Sequence, residues 1–430
     1  MQMTYTPIII LITLATSVIT LVNTSFGFSV LIVSMLFSPE LEVANLPQHA
    51  VAVRIEDFLL FAVFFAWLAK VAMLKGTGLF KKTPLNLPIA LFIVTCLLST
   101  LIGMATGTVK GTGPSFFILK YVEYFLLYFM FVNVLEDEKQ KRHFLNCALA
   151  TCLIVCLYTL SQYGQRERVG APFEGEYAEP ASLGGYLLFM MGVVLGLWLY
   201  TGSKPLKFFL SLLLLLLPAA LVVTTSRASF LSIPPLYLTI LWLTKRKKAI
   251  LILLLLLSPL LIYTLVPPRI IEFTKSAFTG ATFQIGGRAF KVGYSAAGRL
   301  WMWKNAFNTL KQNPILGMGV TGVGIVDNQY IRYLGETGVL GLSIFFWLLL
   351  RIFLMAHRTF HLSQENESKG LALGFLGGFV GLLTLGFSTN SFIIIRIMEP
   401  FWFMAAVVSS LPYLEPPSIA AQPKTDMRAA

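Results

Sequence analysis

Charge is scarce in this chain. Asp, Glu, Lys and Arg make up only 12% of its 430 residues, against 56% hydrophobic, where soluble domains carry about 25% charged residues. A soluble fold is excluded, because it could not hide so much Leu, Phe and Val. Acid is scarcer still, with 20 Asp and Glu against 33 Lys and Arg and a net charge of +13. No soluble segment carries a basic stripe interleaved with aromatics, so nucleic acid is not an expected partner. Cysteine and histidine number four each. Cys96, Cys147, Cys152 and Cys156 fall within or at the edge of apolar runs, with no CxxC or Cys/His metal spacing. Cys152 and Cys156, one turn apart, read as small packing residues. His357 and His361 are four apart but lack the intervening Glu of the zinc-protease pattern. Neither a metal nor a cofactor is expected. Strict apolar–polar alternation is also missing, which excludes a β-barrel. No Lys or Arg precedes Arg54, so the charged start of a signal peptide is lacking and the first span is expected to be retained.

What is present is a succession of long apolar runs. They lie near 7–22, 24–38, 56–74, 86–104, 114–134, 142–162, 182–200, 206–224, 227–243, 249–266, 330–350, 370–388 and 393–412. The first two are short and divided only by Val22-Asn23-Thr24-Ser25, so they read either as a tight hairpin or as one broken span. The expected fold is an all-α polytopic integral membrane protein of 12 or 13 transmembrane helices. Its organisation is an N-terminal bundle over 1–266 of about ten spans, including a loop at 163–181, then a long loop at 267–329, C-terminal helices over 330–412 and a disordered tail at 413–430. Gly370, Gly374 and Gly378, with Gly377 and Gly381, recur by four in the penultimate span and predict close approach of a neighbouring helix.

Lysine and arginine set the orientation. Lys70, Lys75, Lys81, Lys82, Lys139, Lys141, Arg142, Lys204, Lys207, the run Lys245 to Lys248, Arg351, Arg358 and Lys369 all fall in one set of loops. That side is expected to be cytoplasmic, which places the 267–329 loop outside. The opposite short loops hold Arg54, Lys110, Arg166, Arg168, Arg227 and Arg396. Guanidinium groups grip phosphate bidentately, and a cluster at the outer surface suits a lipid diphosphate. The alternative for each is a snorkelling side chain or an ion pair with Glu174, Glu176, Glu179 or Glu399. Arg54 with Glu56 and Asp57 reads as a surface group, and Lys120 with Glu123 as an i,i+3 pair. The spans are otherwise nearly free of charge.

The stretch Arg299 to Gly341 concentrates the polar chemistry. Arg299, Trp301, Trp303, Phe307 and Leu310 recur at helical spacing, as in an amphipathic helix lying on a membrane surface. Asn313-Pro314 stops that helix. Gly317-Met318-Gly319-Val320-Thr321-Gly322 follows. It matches a dinucleotide fingerprint, but no strand precedes it, so a tight turn against the membrane is the better reading. Asp327, Asn328 and Tyr330 open the next apolar span, with Glu336 two turns further in.

Four of these places together carry a family likeness. Arg168-Val169-Gly170 followed by Glu179-Pro180-Ala181-Ser182-Leu183 is similar to an "R-x-x-G … P-N-x-x-A" stretch. Thr225-Ser226-Arg227-Ala228 is similar to "T-x-S-R-(G/A)". Gly298-Arg299 through Trp303, Pro314, Gly317 and Gly319 looks like a loop helix and turn. Asp327-Asn328-Gln329-Tyr330 through Leu334, Glu336, Gly338 and Gly341 is similar to "H-N-x-x-L-x-x-x-x-E-x-G-x-x-G". In this order the motifs resemble the O-antigen ligase and Wzy-type polymerase superfamily of bacterial envelope glycan assembly. The ligases carry a His where this chain has Asp327, which points towards a polymerase.

The resemblance implies a metal-independent glycosyltransferase in the cytoplasmic membrane, acting on its outer face. The donor would be an oligosaccharide on undecaprenyl diphosphate, and a chain-length regulator protein is a further implied partner. Asp327 is then the candidate base, with Glu336 and Glu179 as further carboxylates. Arg168, Arg227, Arg299 and Arg166 would hold the diphosphate, while Asn328 and Tyr330 would orient the sugar. A ligase or protein oligosaccharyltransferase of the same superfamily is the nearest alternative. A lipid-linked sugar flippase is the alternative of another class, disfavoured by the near absence of charge within spans.

Overall fold

A computed structural model describes residues 6–42, 52–73, 81–165, 169–174, 179–265, 272, 280–285, 288–324 and 326–414. The helices are α1 Thr6–Val22, α2 Thr24–Phe37, α3 Ile55–Met73, α4 Asn86–Ala105, α5 Gly113–Val134, α6 Glu138–Ser161, α7 Pro180–Tyr200, α8 Lys204–Thr224, α9 Arg227–Leu243, α10 Lys248–Leu265, α11 Tyr294–Leu310, α12 Gln329–Leu362, α13 Asn366–Leu385 and α14 Ile395–Leu414. Two short antiparallel hairpins interrupt them, β1 Glu40–Glu42 with β2 Ala52–Arg54 and β3 Gly280–Ile285 with β4 Arg288–Gly293. The long loop was expected to contain short amphipathic helices; in it the β3–β4 hairpin leads into α11.

Among the described residues, eight helices are long and apolar enough to cross a membrane, and four shorter apolar helices accompany them. The 19-residue α3, which carries Glu56, Asp57 and Lys70, is not among them. The protein is an all-α polytopic membrane protein. Asn23 separates α1 from α2 as an N-cap, its side chain accepting from the Phe26 amide at 3.3 Å, so the first two runs form two helices rather than one.

The core forms around α7, α13 and α14. Buried residues fill 94% of the α7 membrane window and 83% of that of α14, so both are enclosed by other helices. α7 meets α13 glycine to glycine: a Cβ on Gly192 would lie 2.5 Å from the Gly378 amide nitrogen and 2.9 Å from the Gly374 carbonyl. The fourfold glycine spacing thus serves close helix approach. Trp402 of α14 packs on Phe125 and Tyr128 of α5, with ring centroids 4.9 and 5.5 Å apart. The leucine run of α8 divides by face. Leu210, Leu213 and Leu217 are fully buried, whereas Leu212 and Leu215 are exposed, as one helical stripe requires.

The α12 helix runs 34 residues, further than the expected span, and is broken at Gly338 (φ 66°, ψ −168°). The break is repaired by exchange. A continuous helix would bond the Val339 and Leu340 amides to the Gly335 and Glu336 carbonyls. Instead those carbonyls accept from the Met318 and Gly319 amides, both at 2.9 Å, while the Val339 and Leu340 amides donate to Pro314 and Ile315 at 2.9 and 3.2 Å. The glycine-rich turn after α11 is therefore threaded into the break, leaving these backbone groups paired. Gly317 and Gly319 have φ of 70° and 91°, and a Cβ on Gly317 would sit 2.5 Å from the Glu336 carbonyl carbon. No dinucleotide cradle is needed to explain these glycines. α4 pins the same turn. Ser99 Oγ lies 2.5 Å from the Leu316 carbonyl and 2.6 Å from that of Glu336. Thr108 donates to the Met318 carbonyl at 2.9 Å, and the Val320 amide donates to Thr100 Oγ1 at 3.1 Å.

Candidate functional site

The sequence-predicted residues separate by location. Arg166 and Arg168 lie outside the described residues. Glu179 stands exposed at the N-cap position of α7, without a side-chain cap bond. Arg227 opens α9, half-buried, immediately after the left-handed Thr225 (φ 56°) and the N-cap position Ser226. Ser226 Oγ and Ser229 Oγ are 2.8 Å apart, and a Cβ on Gly184 of α7 would meet Ser229 Oγ at 2.5 Å. The start of α9 is thus fixed against α7, where the positive end of the helix dipole favours an anion.

Arg299 and Asp327 are brought together. Arg299 Nε of α11 lies 3.8 Å from Asp327 Oδ2, with side chains 32% and 42% exposed. At that exposure the pair adds only ~0–1 kcal/mol to stability, so both groups stay accessible. Asp327 itself rests on a fixed base. The Val326 carbonyl accepts from Asn390 Nδ2 at 2.9 Å, and the Gln329 amide donates to Gly386 at 2.8 Å. Gln329 Oε1 in turn accepts from the Phe392 amide at 2.8 Å. The turn between α13 and α14 therefore holds the backbone on both sides of Asp327.

Asn328 and Tyr330 have their polar groups engaged within the fold. Asn328 caps α12, its Oδ1 accepting from the Tyr330 and Ile331 amides, each at 3.0 Å, and its Nδ2 donating to the Phe387 carbonyl at 3.1 Å. Tyr330 donates its hydroxyl to the Leu383 carbonyl at 2.6 Å and packs its ring 4.7 Å from that of Phe387. Glu336, predicted as a catalytic carboxylate, is wholly enclosed, with Oε1 accepting from Arg332 Nε and the Thr321 amide at 2.9 Å each. It clamps the threaded turn to the first half of α12. Arg332 was passed over in the sequence reading, although the Arg–Glu i,i+4 spacing inside an apolar span was its signal. Its guanidinium stacks 5.1 Å above Phe117 of α5.

Two expectations require correction. Arg54, Glu56 and Asp57 do not form a surface group; they are 7%, 2% and 9% exposed. Nor are the spans nearly free of charge. Lys120, Glu123, Arg396 and Glu399 join the same buried cluster between α3, α5 and α14, because helix packing turns each of these residues inward.

Residues 209–346, from α8 through the first half of α12 and including Arg227, Arg299, Asp327 and Glu336, match the family model described as O-antigen ligase. Over this stretch the chain is similar to the O-antigen ligase and Wzy superfamily. No curated protein matches it. The family stretch therefore contains both the Arg299–Asp327 pair and the helix break at Gly338, and members of this superfamily are glycosyltransferase-like enzymes.

Proposed function

We propose that this chain is a glycan polymerase of the bacterial cytoplasmic membrane, with its active face outside. It joins oligosaccharide repeat units carried on undecaprenyl diphosphate, as in O-antigen, capsule or exopolysaccharide assembly. The observation that carries this reading is the accessible Arg299–Asp327 pair on a hydrogen-bonded base, within the family-matched stretch. An acceptor sugar hydroxyl attacks the anomeric carbon of the donor. Its proton passes to the Asp327 carboxylate as the new glycosidic bond forms. The anomeric carbon–oxygen bond to the lipid diphosphate breaks, and the leaving group departs with the electron pair. Arg299 and Arg227, with Arg166 and Arg168 from the 163–181 loop, neutralise that charge. The reaction so written needs no nucleotide and no metal. Glu336, Asn328 and Tyr330 position the base, and Glu179 is a second carboxylate near the same end of the bundle.

The ligase reading is favoured by the description of the matching family. The polymerase reading is favoured by Asp327, which stands where ligases carry His. Sizing lipid-linked oligosaccharides and surface polysaccharide from cells lacking the chain separates the two. Single repeat units accumulating on the lipid, with loss of long polymer, support the polymerase. Full-length polymer stranded on its lipid supports the ligase. Single units left on the cytoplasmic face overturn both and indicate a flippase.

A further inference from the structure

The lysine-rich end of the bundle is not used by the chemistry above. His361, at the other end of α12 from Asp327, lies in the field of Lys245, so the run Lys245 to Lys248 sits far from the Arg299–Asp327 pair. Here three elements converge on one ring. Trp198 of α7 is oriented by its indole N–H, which donates to Ser211 Oγ of α8 at 2.8 Å. Lys207 Nζ of α8 lies 5.6 Å from the centre of that ring, and Lys247 Nζ, from the α9–α10 connection, lies 3.8 Å from it. The connection is shaped to bring Lys247 there. Its φ of 50° is left-handed, a conformation uncommon for a residue with a side chain. Arg246 anchors the same connection, stacking its guanidinium 4.7 Å above the Tyr200 ring and donating to Asn366 Oδ1 at 2.8 Å.

These cations face one another without an acid between them. Lys207 and Lys247 come within hydrogen-bond reach of each other, and burial, reinforced by Lys207 and Arg246, pushes the Lys247 ammonium down to about 8. Among the described residues, no carboxylate pairs with Lys204, Lys207, Lys245, Arg246, Lys247 or Lys248. The two acids flanking Asn366, Glu365 and Glu367, are held by Lys141 and Arg142. Like charges set this close are unfavourable unless an anion is shared between them. A ring face beneath two ammonium groups offsets part of that repulsion and leaves their remaining N–H donors for a phosphate.

The surroundings indicate which phosphate. Phe208, next to Lys207, is 77% exposed, and Leu212 and Leu215 continue its exposed stripe along α8. Trp242, one turn before Arg246, is 76% exposed, and Leu238 and Leu231 continue that stripe along α9. On a membrane protein these faces meet acyl chains, and a basic pocket beside them suits a lipid head group. We propose that Lys207 and Lys247, with Lys204 and Lys248 beside them in the chain, bind the phosphate of an anionic phospholipid in the adjoining leaflet. Its acyl chains lie along the exposed faces of α8 and α9.

Native mass spectrometry of the purified full-length chain, titrated with dioleoylphosphatidylglycerol or with dioleoylphosphatidylcholine, tests the site. The wild type should retain the anionic lipid in preference to the zwitterionic one. Lys207→Gln and Lys247→Gly should each weaken that retention about fivefold, as loss of one cation at a lipid surface predicts. Glycine at 247 suits the left-handed backbone, so the melting midpoint of that variant should not fall. Lys139→Gln removes one exposed charge at the same end of the bundle, outside the cluster, and should leave retention unchanged. Equal retention of both lipids by the wild type overturns the proposal. So does an equal loss in Lys139→Gln, because the attraction is then diffuse rather than sited. Displacement of the lipid by inorganic phosphate at the same concentration would assign the site to a soluble phosphate and overturn the lipid assignment.

Discussion

Arg332 Nε and Glu336 Oε1 meet at 2.9 Å, with side chains 8% and 0% exposed, one helical turn before the break at Gly338. The same Glu336 oxygen accepts the Thr321 amide. This contact joins the glycine-rich turn to the helix that begins at Asp327 and Asn328. Truncating one partner leaves the other charge buried and alone. Glu336→Ala should therefore cost about 3–5 kcal/mol, seen as a large fall in the melting midpoint of the detergent-solubilised protein. Replacing both residues with Met should recover part of that loss. The remainder reflects the orphaned Thr321 amide, about 1–3 kcal/mol. An E336A midpoint equal to the wild type would contradict the clamp.

Gly338 should be intolerant of any side chain. Its φ of 66° with ψ of −168° is a conformation that residues bearing a Cβ rarely adopt, and a Cβ there would run into the Ile315 carbonyl. Gly338→Ala should destabilise the protein by about 1–3 kcal/mol from backbone strain and open the 314–324 turn to limited proteolysis. An unchanged cleavage pattern would count against the threaded turn.

Asn328 separates capping from chemistry. Asn328→Ala removes the acceptor for two amides and should cost ~1 kcal/mol. Asn328→Ser keeps the cap and loses only the donation to Phe387, so its midpoint should lie between wild type and the Ala variant. If Asn328 instead acts on the sugar directly, Ser and Ala would impair polymer formation equally while their midpoints stay at the wild-type value.

Glu365 connects α13 to α6 at the lysine-rich side. Burial raises its pKa, but hydrogen bonds from Lys141, Ser368 and Arg142 outweigh that and hold the carboxyl at about 2. A depressed carboxylate contributes stability that is fully present above its unfolded value of 4.5 and is lost as pH falls through about 2. Between those limits the melting midpoint of the wild type should fall more steeply with acid than that of Glu365→Gln. Parallel curves would show that the contacts do not persist in solution.

Much of the fold was legible in the sequence. Span positions followed from hydropathy, because each apolar run in lipid must form a helix to satisfy its own backbone. The glycine register of α13 announced its approach to α7, and Asn313-Pro314 correctly ended α11. The site was legible only as a stretch. Pairing Arg299 with Asp327 required the fold of the 311–328 turn, and no periodicity encodes it. Glu336 and Asn328 were picked out as polar residues at depth, but their partners, Thr321 for one and Phe387 for the other, lie on other segments that sequence spacing does not reveal. The cluster of Arg54, Lys120 and Glu399 was missed for the same reason. Its members come from segments far apart in the chain, and spacing alone offered only local pairs such as Arg54 with Glu56 and Lys120 with Glu123.

The most direct test of the central claim is to size the lipid-linked oligosaccharides in cells carrying Asp327→Asn as the sole copy. Asp327 is 42% exposed, so the variant should reach wild-type abundance in the membrane, with stability within about 0.5 kcal/mol. The account predicts single repeat units accumulating on the lipid carrier and no long polymer. Wild-type polymer length from that variant, at equal protein level, would contradict it.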